Sequence, residues 1–215
     1  MPAGQRAQRA ERRRRFGQNF LRPDVAEALV AGCDFRPGDR VVEIGAGAGA
    51  LTLPLARRGL EVTAVERDPE WVGRLRELLR GWAGSVRVVE ADFLRWRWPD
   101  APFRVIGSLP FGVTTEILRR LFDDPRTPLV RADLVLQWEV ARKRAESPPA
   151  TLLSATWAPW WRFRLGRRIP AHAFRPEPRI DAGLLTVTRR DPALLPLGAV
   201  RAYGKFLRKQ WPFRE

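Results

Sequence analysis

Seven residues constrain this chain more than any others: Glu43-Ile44-Gly45-Ala46-Gly47-Ala48-Gly49. Three glycines at alternate positions follow the short apolar run Arg40 to Ile44 and precede Ala50 to Arg58, where the apolar spacing becomes helical. Glycine admits positive φ and lets a ligand approach the backbone with no Cβ in the way. A second apolar run, Glu61 to Val65, completes a strand, turn, helix and strand, which is a βαβ unit. The usual dinucleotide fingerprint places two residues between its second and third glycines, whereas this turn has one.

The alternation continues to Arg190. Helical spacing covers Val25 to Cys33, Trp71 to Trp82, Thr114 to Phe122 and Val140 to Glu146, and strands are predicted at Val86 to Glu90, Phe103 to Gly107 and Leu129 to Leu136. Two late strands, Trp160 to Leu165 and Gly183 to Thr188, have no full helix between them and so form an antiparallel hairpin at one edge. The predicted fold class is α/β, a doubly wound, mostly parallel seven-stranded sheet. Residues 1–15 read as a basic N-terminal arm, 16–190 as the α/β domain, and 191–215 as the start of a C-terminal helical segment, with one helix at Ala199 to Arg208.

Successive strand ends then carry a consistent chemistry. Glu66 ends the second strand, 21 residues after Gly45, where a carboxylate can accept both hydroxyls of a ribose. Asp92 follows the third strand and can take an amino proton of an adenine ring, while Phe93 packs on its face. Each acid alone is more often a solvated loop residue. Together with Gly45 and Gly47 they point to an adenosine compound as ligand.

Charge bears on the partner. The 215 residues carry a formal net charge of +15, and every basic residue except Lys143, Lys205 and Lys209 is an arginine. Such a surface suits a polyanion, because each phosphate neutralised releases condensed counterions. Candidate phosphate contacts are Arg12, Arg13, Arg14 and Arg15, then Arg142, Lys143 and Arg144, then Arg162, Arg164, Arg167 and Arg168; each cluster alone also reads as a solvated face. Trp157, Trp160 and Trp161 read first as packing residues. The single cysteine, Cys33, excludes an internal disulfide and reads as a small packed thiol, and with the single His172 it leaves no zinc cluster. No metal is expected. No run is apolar enough to span a membrane and the first 15 residues lack a signal peptide's apolar core, so the chain is expected in the cytoplasm. An arginine-rich, acid-poor start is also the composition of a transit peptide.

The fourth strand runs into Ser108-Leu109-Pro110-Phe111. Here the sequence resembles the amino-methyltransferases whose fourth motif is Asn or Asp, any residue, Pro, then an aromatic. An exocyclic amine is a poor nucleophile because its lone pair is delocalised into the ring, and acceptors aimed at its protons localise that pair. More narrowly, from about Arg15 to Arg190 the chain is similar to the Erm family of 23S ribosomal RNA adenine N6-methyltransferases. The matching segments are Gly17-Gln18-Asn19-Phe20-Leu21, the glycine turn, Glu66, Asp92, the Ser108 loop, Gln137 to Lys143 and Ala173 to Asp181. The resemblance implies a Rossmann-like class I methyltransferase using S-adenosyl-L-methionine, held by Gln18, Asn19, Leu21, Gly45, Gly47, Glu66, Asp92, Phe93 and Ser108. It implies that Ser108 and the carbonyl of Leu109 accept from the target amine, that Pro110 stiffens the turn, and that Phe111 and Phe174 clamp a flipped adenine.

The implied substrate is 23S rRNA before full ribosome assembly, methylated by a monomer, with resistance to macrolides, lincosamides and streptogramin B as the consequence. Ser108 stands where the family usually has asparagine, which predicts activity at lower efficiency. Only Ala199 to Glu215 remain where relatives carry several helices, so a truncated or reduced C-terminal lobe is expected. Three other readings stay open: a small-subunit rRNA dimethyladenosine transferase, a catalytically weak RNA-binding assembly factor, and a small-molecule methyltransferase.

Overall fold

Strands buried on both faces read as near-continuous apolar runs, and the central ones here do, interrupted only by Glu43 and Arg104 within them. The computed structural model describes residues 19–82 and 84–211. Val41, Val42 and Ile44 of β2 (Arg40–Ile44) and Val105 and Ile106 of β5 (Phe103–Ser108) are all buried. These two strands lie side by side in parallel, Ile44 opposite Gly107. Close packing explains that glycine: a Cβ on Gly107 would stand 2.8 Å from the Ile44 carbonyl oxygen.

Around this pair the chain winds both ways. From β2 it passes through α2 (Thr52–Arg57) to β3 (Glu61–Glu66), then through α3 (Pro69–Leu78) to β4 (Val86–Glu90) at one edge. It then crosses back to β5, and α4 (Thr114–Phe122) leads to β6 (Leu129–Gln137). The sheet order is β4-β3-β2-β5-β6-β9-β7, with β9 (Ala182–Arg189) antiparallel to both β6 and β7 (Trp161–Ile169). The expected seven-stranded, mostly parallel sheet with an antiparallel edge pair is therefore present, β7 outermost.

Helices cover both faces. On one side α1 (Pro23–Ala31), α2 and α3 bury Leu29, Leu55 and Leu75; on the other, α4 buries Ile117, Leu118, Leu121 and Phe122 at helical spacing against Trp157 and Trp161. Asp68 caps α3, accepting from the Glu70 N–H at 3.0 Å, with Pro69 at the first helical position. The helix predicted to reach Trp82 ends at Leu78, and a separate 3-10 turn spans Arg80–Trp82; Gly81 in that turn is a poor helix residue.

Two features carry no sequence signal, a two-strand ribbon and a six-residue helix, whereas the last helix matches the one predicted at Ala199 to Arg208. A two-strand ribbon joins β1 (Phe20–Leu21) to β8 (Phe174–Arg175), antiparallel, with Leu21 opposite Phe174. After α5 (Trp138–Ala145), the six-residue α6 (Leu152–Trp157) is capped by Thr151, which accepts from the Ser154 N–H at 3.1 Å. The last helix, α7 (Val200–Gln210), lies against the domain: the Tyr203 ring sits 6.0 Å from Trp160 and its hydroxyl donates to the Ala155 carbonyl at 3.4 Å. No helix among the described residues is long and apolar enough to cross a membrane.

Candidate active site

The chain leaves β2 toward β3 but reaches β5 on its other side, so a crevice opens beyond the carboxyl ends of these strands, where such sheets bind ligands. A cavity of about 340 Å³ occupies it. Gly45, Glu66, Asp92 and Ser108, one from the end of each of β2 to β5, all line it.

The glycine turn is held from below. Gly45 and Gly47 take φ of +70° and +50°, and the Gly45 N–H donates to the Val65 carbonyl at 2.9 Å. Glu66 organises the next layer. One carboxylate oxygen accepts from the Gly47 N–H at 2.8 Å, and the other from the N–H groups of Arg67 and Asp68, each at 2.8 Å. Gly47 thus acts through Glu66 rather than by lining the cavity. A Cβ there would stand 2.4 Å from the Phe20 ring, which lies over the turn and meets Trp71 edge-on at 4.9 Å.

Glu43 opens the glycine motif, yet nothing in the motif itself gives this acid a role. It is buried, and its side chain accepts from the Thr52 hydroxyl at 2.6 Å. Burial pushes its carboxyl up to about 8; the Thr52 hydrogen bond opposes this and the nearby Glu66 charge adds to it. Across the cavity, Asp92 accepts from the Leu94 N–H at 3.0 Å, and its other oxygen lies 3.7 Å from an Arg67 guanidinium nitrogen. Phe93 touches the cavity but is mostly packed between Trp96 and Trp98.

The reactive loop closes the opposite wall. Ser108 is half-buried at the end of β5, and the Leu109 N–H donates to the Val135 carbonyl at 3.0 Å. Among the described residues no donor engages the Leu109 carbonyl. Pro110 turns the chain, its carbonyl accepting from the Thr114 hydroxyl at 3.0 Å. Phe111 is half-buried on the wall, and Phe174, though only 2% exposed, reaches the same cavity from β8.

Asn19 and Leu21 also line the cavity; Gln18 and Arg12 to Arg15 lie outside the described residues. Phe20, which stands in the Gly17–Leu21 segment, lines it too, as do Arg67 and Leu94, which the motifs do not single out. Arg67 and Leu94 each sit beside a residue that the motifs do single out, and that adjacency is the only signal the sequence offers for them.

Of the basic clusters, Arg162, Arg164, Arg167 and Arg168 lie on edge strand β7, where Arg162, Arg167 and Arg168 are exposed and Arg164 is exposed too. Arg168 also donates to Asp181 at 2.8 Å and lies 5.3 Å above the Trp138 ring. Lys143 is exposed, and Arg142 pairs with Glu139 and Glu146 at 2.9 and 3.0 Å. Arg144 is half-buried, donates to the Thr151 hydroxyl at 2.6 Å and sits 5.9 Å from the Trp157 ring. Trp157, Trp160 and Trp161 are core residues, and Cys33 is a buried thiol that burial pushes up to about 12. Among the described residues no group of His, Cys, Asp or Glu can hold a metal ion.

Residues 9–212 match the family described as ribosomal RNA adenine dimethylase. The chain is 38% identical over 191 residues to an rRNA adenine N-6-methyltransferase of Corynebacterium diphtheriae, covering 89% of this chain and 74% of that one. It is 39% identical over 198 residues to the mycinamicin-resistance protein MyrB of Micromonospora griseorubida, covering 92% of this chain but 62% of that one. Its fold superposes on the crystal structure of the 23S rRNA methyltransferase ErmE with a TM-score of 0.78 at 31% identity, covering 88% of this chain and 78% of that one.

Proposed function

The chain belongs to the ribosomal RNA adenine dimethylase family, and on that premise we propose that it transfers methyl from S-adenosyl-L-methionine to N6 of an adenine in 23S rRNA. The observation that carries this reading is the convergence of Gly45, Glu66, Asp92 and Ser108 on one cavity that also receives Phe111 and Phe174.

The cavity suits the cofactor. Both oxygens of Glu66 are fixed by main-chain N–H groups, so the carboxylate is preorganised to take a ribose hydroxyl at the acceptor site left open on Oε2. Asp92, fixed by the Leu94 N–H, takes the amino group of the adenine, with Phe93 and Leu94 as its apolar wall. The glycine turn, Asn19 and Leu21 hold the amino-acid end. The cofactor supplies an electrophilic methyl group on a positively charged sulfur.

The remaining chemistry belongs to the reactive loop. The Ser108 hydroxyl and the Leu109 carbonyl accept hydrogen bonds from the two N–H groups of the target amine, which localises its lone pair for attack on the methyl carbon. Once methylated, the amine gives up its surplus proton to bulk water. Phe111 and Phe174 stack on the extruded base. Arg162, Arg164, Arg167 and Arg168, together with Arg142, Lys143 and the basic arm Arg12 to Arg15, take RNA phosphates. Residues 16–190 form the catalytic domain, acting as a cytoplasmic monomer on rRNA before assembly is complete, and methylation of the drug site confers macrolide, lincosamide and streptogramin B resistance.

Incubation with labelled S-adenosylmethionine and protein-free 23S and 16S rRNA tests the reading. Label on 23S rRNA is expected. Label on 16S rRNA alone would move the assignment to the small subunit, and label on neither would sink it.

A further inference from the structure

Residues 91–102 join β4 to β5 without regular structure, and they carry Asp92 and Phe93. A connection this long needs tertiary ties to hold one shape. At its start the Asp92 carbonyl accepts from the Arg95 and Trp96 N–H groups, both at 2.9 Å, and the Ala91 N–H donates to the Glu66 carbonyl at 2.9 Å; near its end Arg97 pairs with Asp100 at 3.1 Å, and Trp96 and Trp98 pack against the core.

Arg120 adds side-chain hydrogen bonds to the loop's main chain from outside it. Its Nε donates to the Phe93 carbonyl at 2.9 Å, and a terminal nitrogen donates to the Trp96 carbonyl. The guanidinium lies 4.2 Å from the Trp98 ring centre. One planar fork thus bonds two carbonyls of the loop and stacks on a third of its residues, a combination an ammonium cannot reproduce. Arg120 projects from α4, the helix that begins directly after the reactive loop and is tied to it through Thr114 and Pro110. Arg120 does not line the cavity.

We propose that Arg120 is a positioning residue: it holds Asp92 and Phe93 in place for the adenine end of the cofactor and locks that loop to the helix issuing from the reactive loop. The inference rests on the cofactor reading above. It assigns Arg120 to cofactor affinity and not to the methyl-transfer step.

Calorimetric titration with S-adenosylhomocysteine, together with steady-state rates on rRNA, tests it. Arg120→Met is expected to weaken binding, and raise KM for the cofactor, by about tenfold, the scale of losing charge-assisted hydrogen bonds. The values of kcat and KM for RNA should stay within about twofold of the parent. Arg120→Lys should recover part of the affinity. Arg119→Met, which removes an exposed neighbour paired with Asp123 at 3.8 Å, should bind as the parent does. Parent-like affinity in Arg120→Met, or a fall in kcat at unchanged KM, overturns the inference. If Arg120→Met does not fold, Arg120→Lys decides, and affinity equal to the parent overturns it. A parent that binds no S-adenosylhomocysteine brings down the cofactor reading itself, and the inference with it.

Discussion

Glu43 illustrates how a site acid depends on its surroundings. Its carboxyl, raised to about 8 from an ordinary 4.5, stays protonated in the folded chain over a pH range in which the unfolded chain ionises. Its contribution to stability is therefore fully present below about pH 4.5 and is lost as pH rises through about 8. Glu43→Gln keeps an oxygen to accept from Thr52 and removes the titration. Thermal unfolding from pH 5 to 9 should show the variant melting above the parent at pH 8 and converging with it near pH 5; parallel profiles would show that Glu43 does not titrate in this window. Ser108 makes a second prediction at this scale. Ser108→Ala should cut methylation about tenfold, a larger loss than in S-adenosylhomocysteine affinity, because the hydroxyl is assigned to the reacting amine. Equal rates would remove the hydroxyl from the reaction.

Among elements, β2 and β5 bear the site, and their separation is set by Gly107. Gly107→Ala must push β5 away from the Ile44 carbonyl, so a loss of about 1–3 kcal/mol is expected in chemical denaturation; an unchanged midpoint would mean that the strands yield freely. These strands were legible because burial on both faces writes itself as apolar runs, and the acids at their ends stood out by position. The β1–β8 ribbon was not legible: two residues show no period, and the pairing of Leu21 with Phe174 spans most of the chain. The six-residue α6 is too short for a helical repeat. Arg120 reads in sequence as one more surface arginine, because its partners, Phe93 and Trp96, lie more than twenty residues away. The contact of Arg144 with Thr151 is likewise invisible in its run of basic neighbours.

For the whole molecule, a net charge of +15 suits a polyanion but does not say which face would meet one. On β7 the alternation is informative: Trp161 and Ile169 are buried while Arg162 and Arg164 are exposed, so the outermost strand presents cations along the sheet edge. The pair of substitutions Arg162→Gln and Arg164→Gln should lower the slope of log affinity against log salt for rRNA by about 1 for each phosphate no longer neutralised. An unchanged slope would place the RNA on another face. The chain spans 62% of MyrB and 74% of the Corynebacterium relative, and all the cavity residues fall within the matched segment. Methyl transfer to an adenine N6 is tested most directly by digesting treated 23S rRNA to nucleosides and separating them by mass spectrometry. N6-methylated adenosine should be present and should disappear when S-adenosylmethionine is omitted; methyl groups found only on another base, or on ribose, would contradict the assignment.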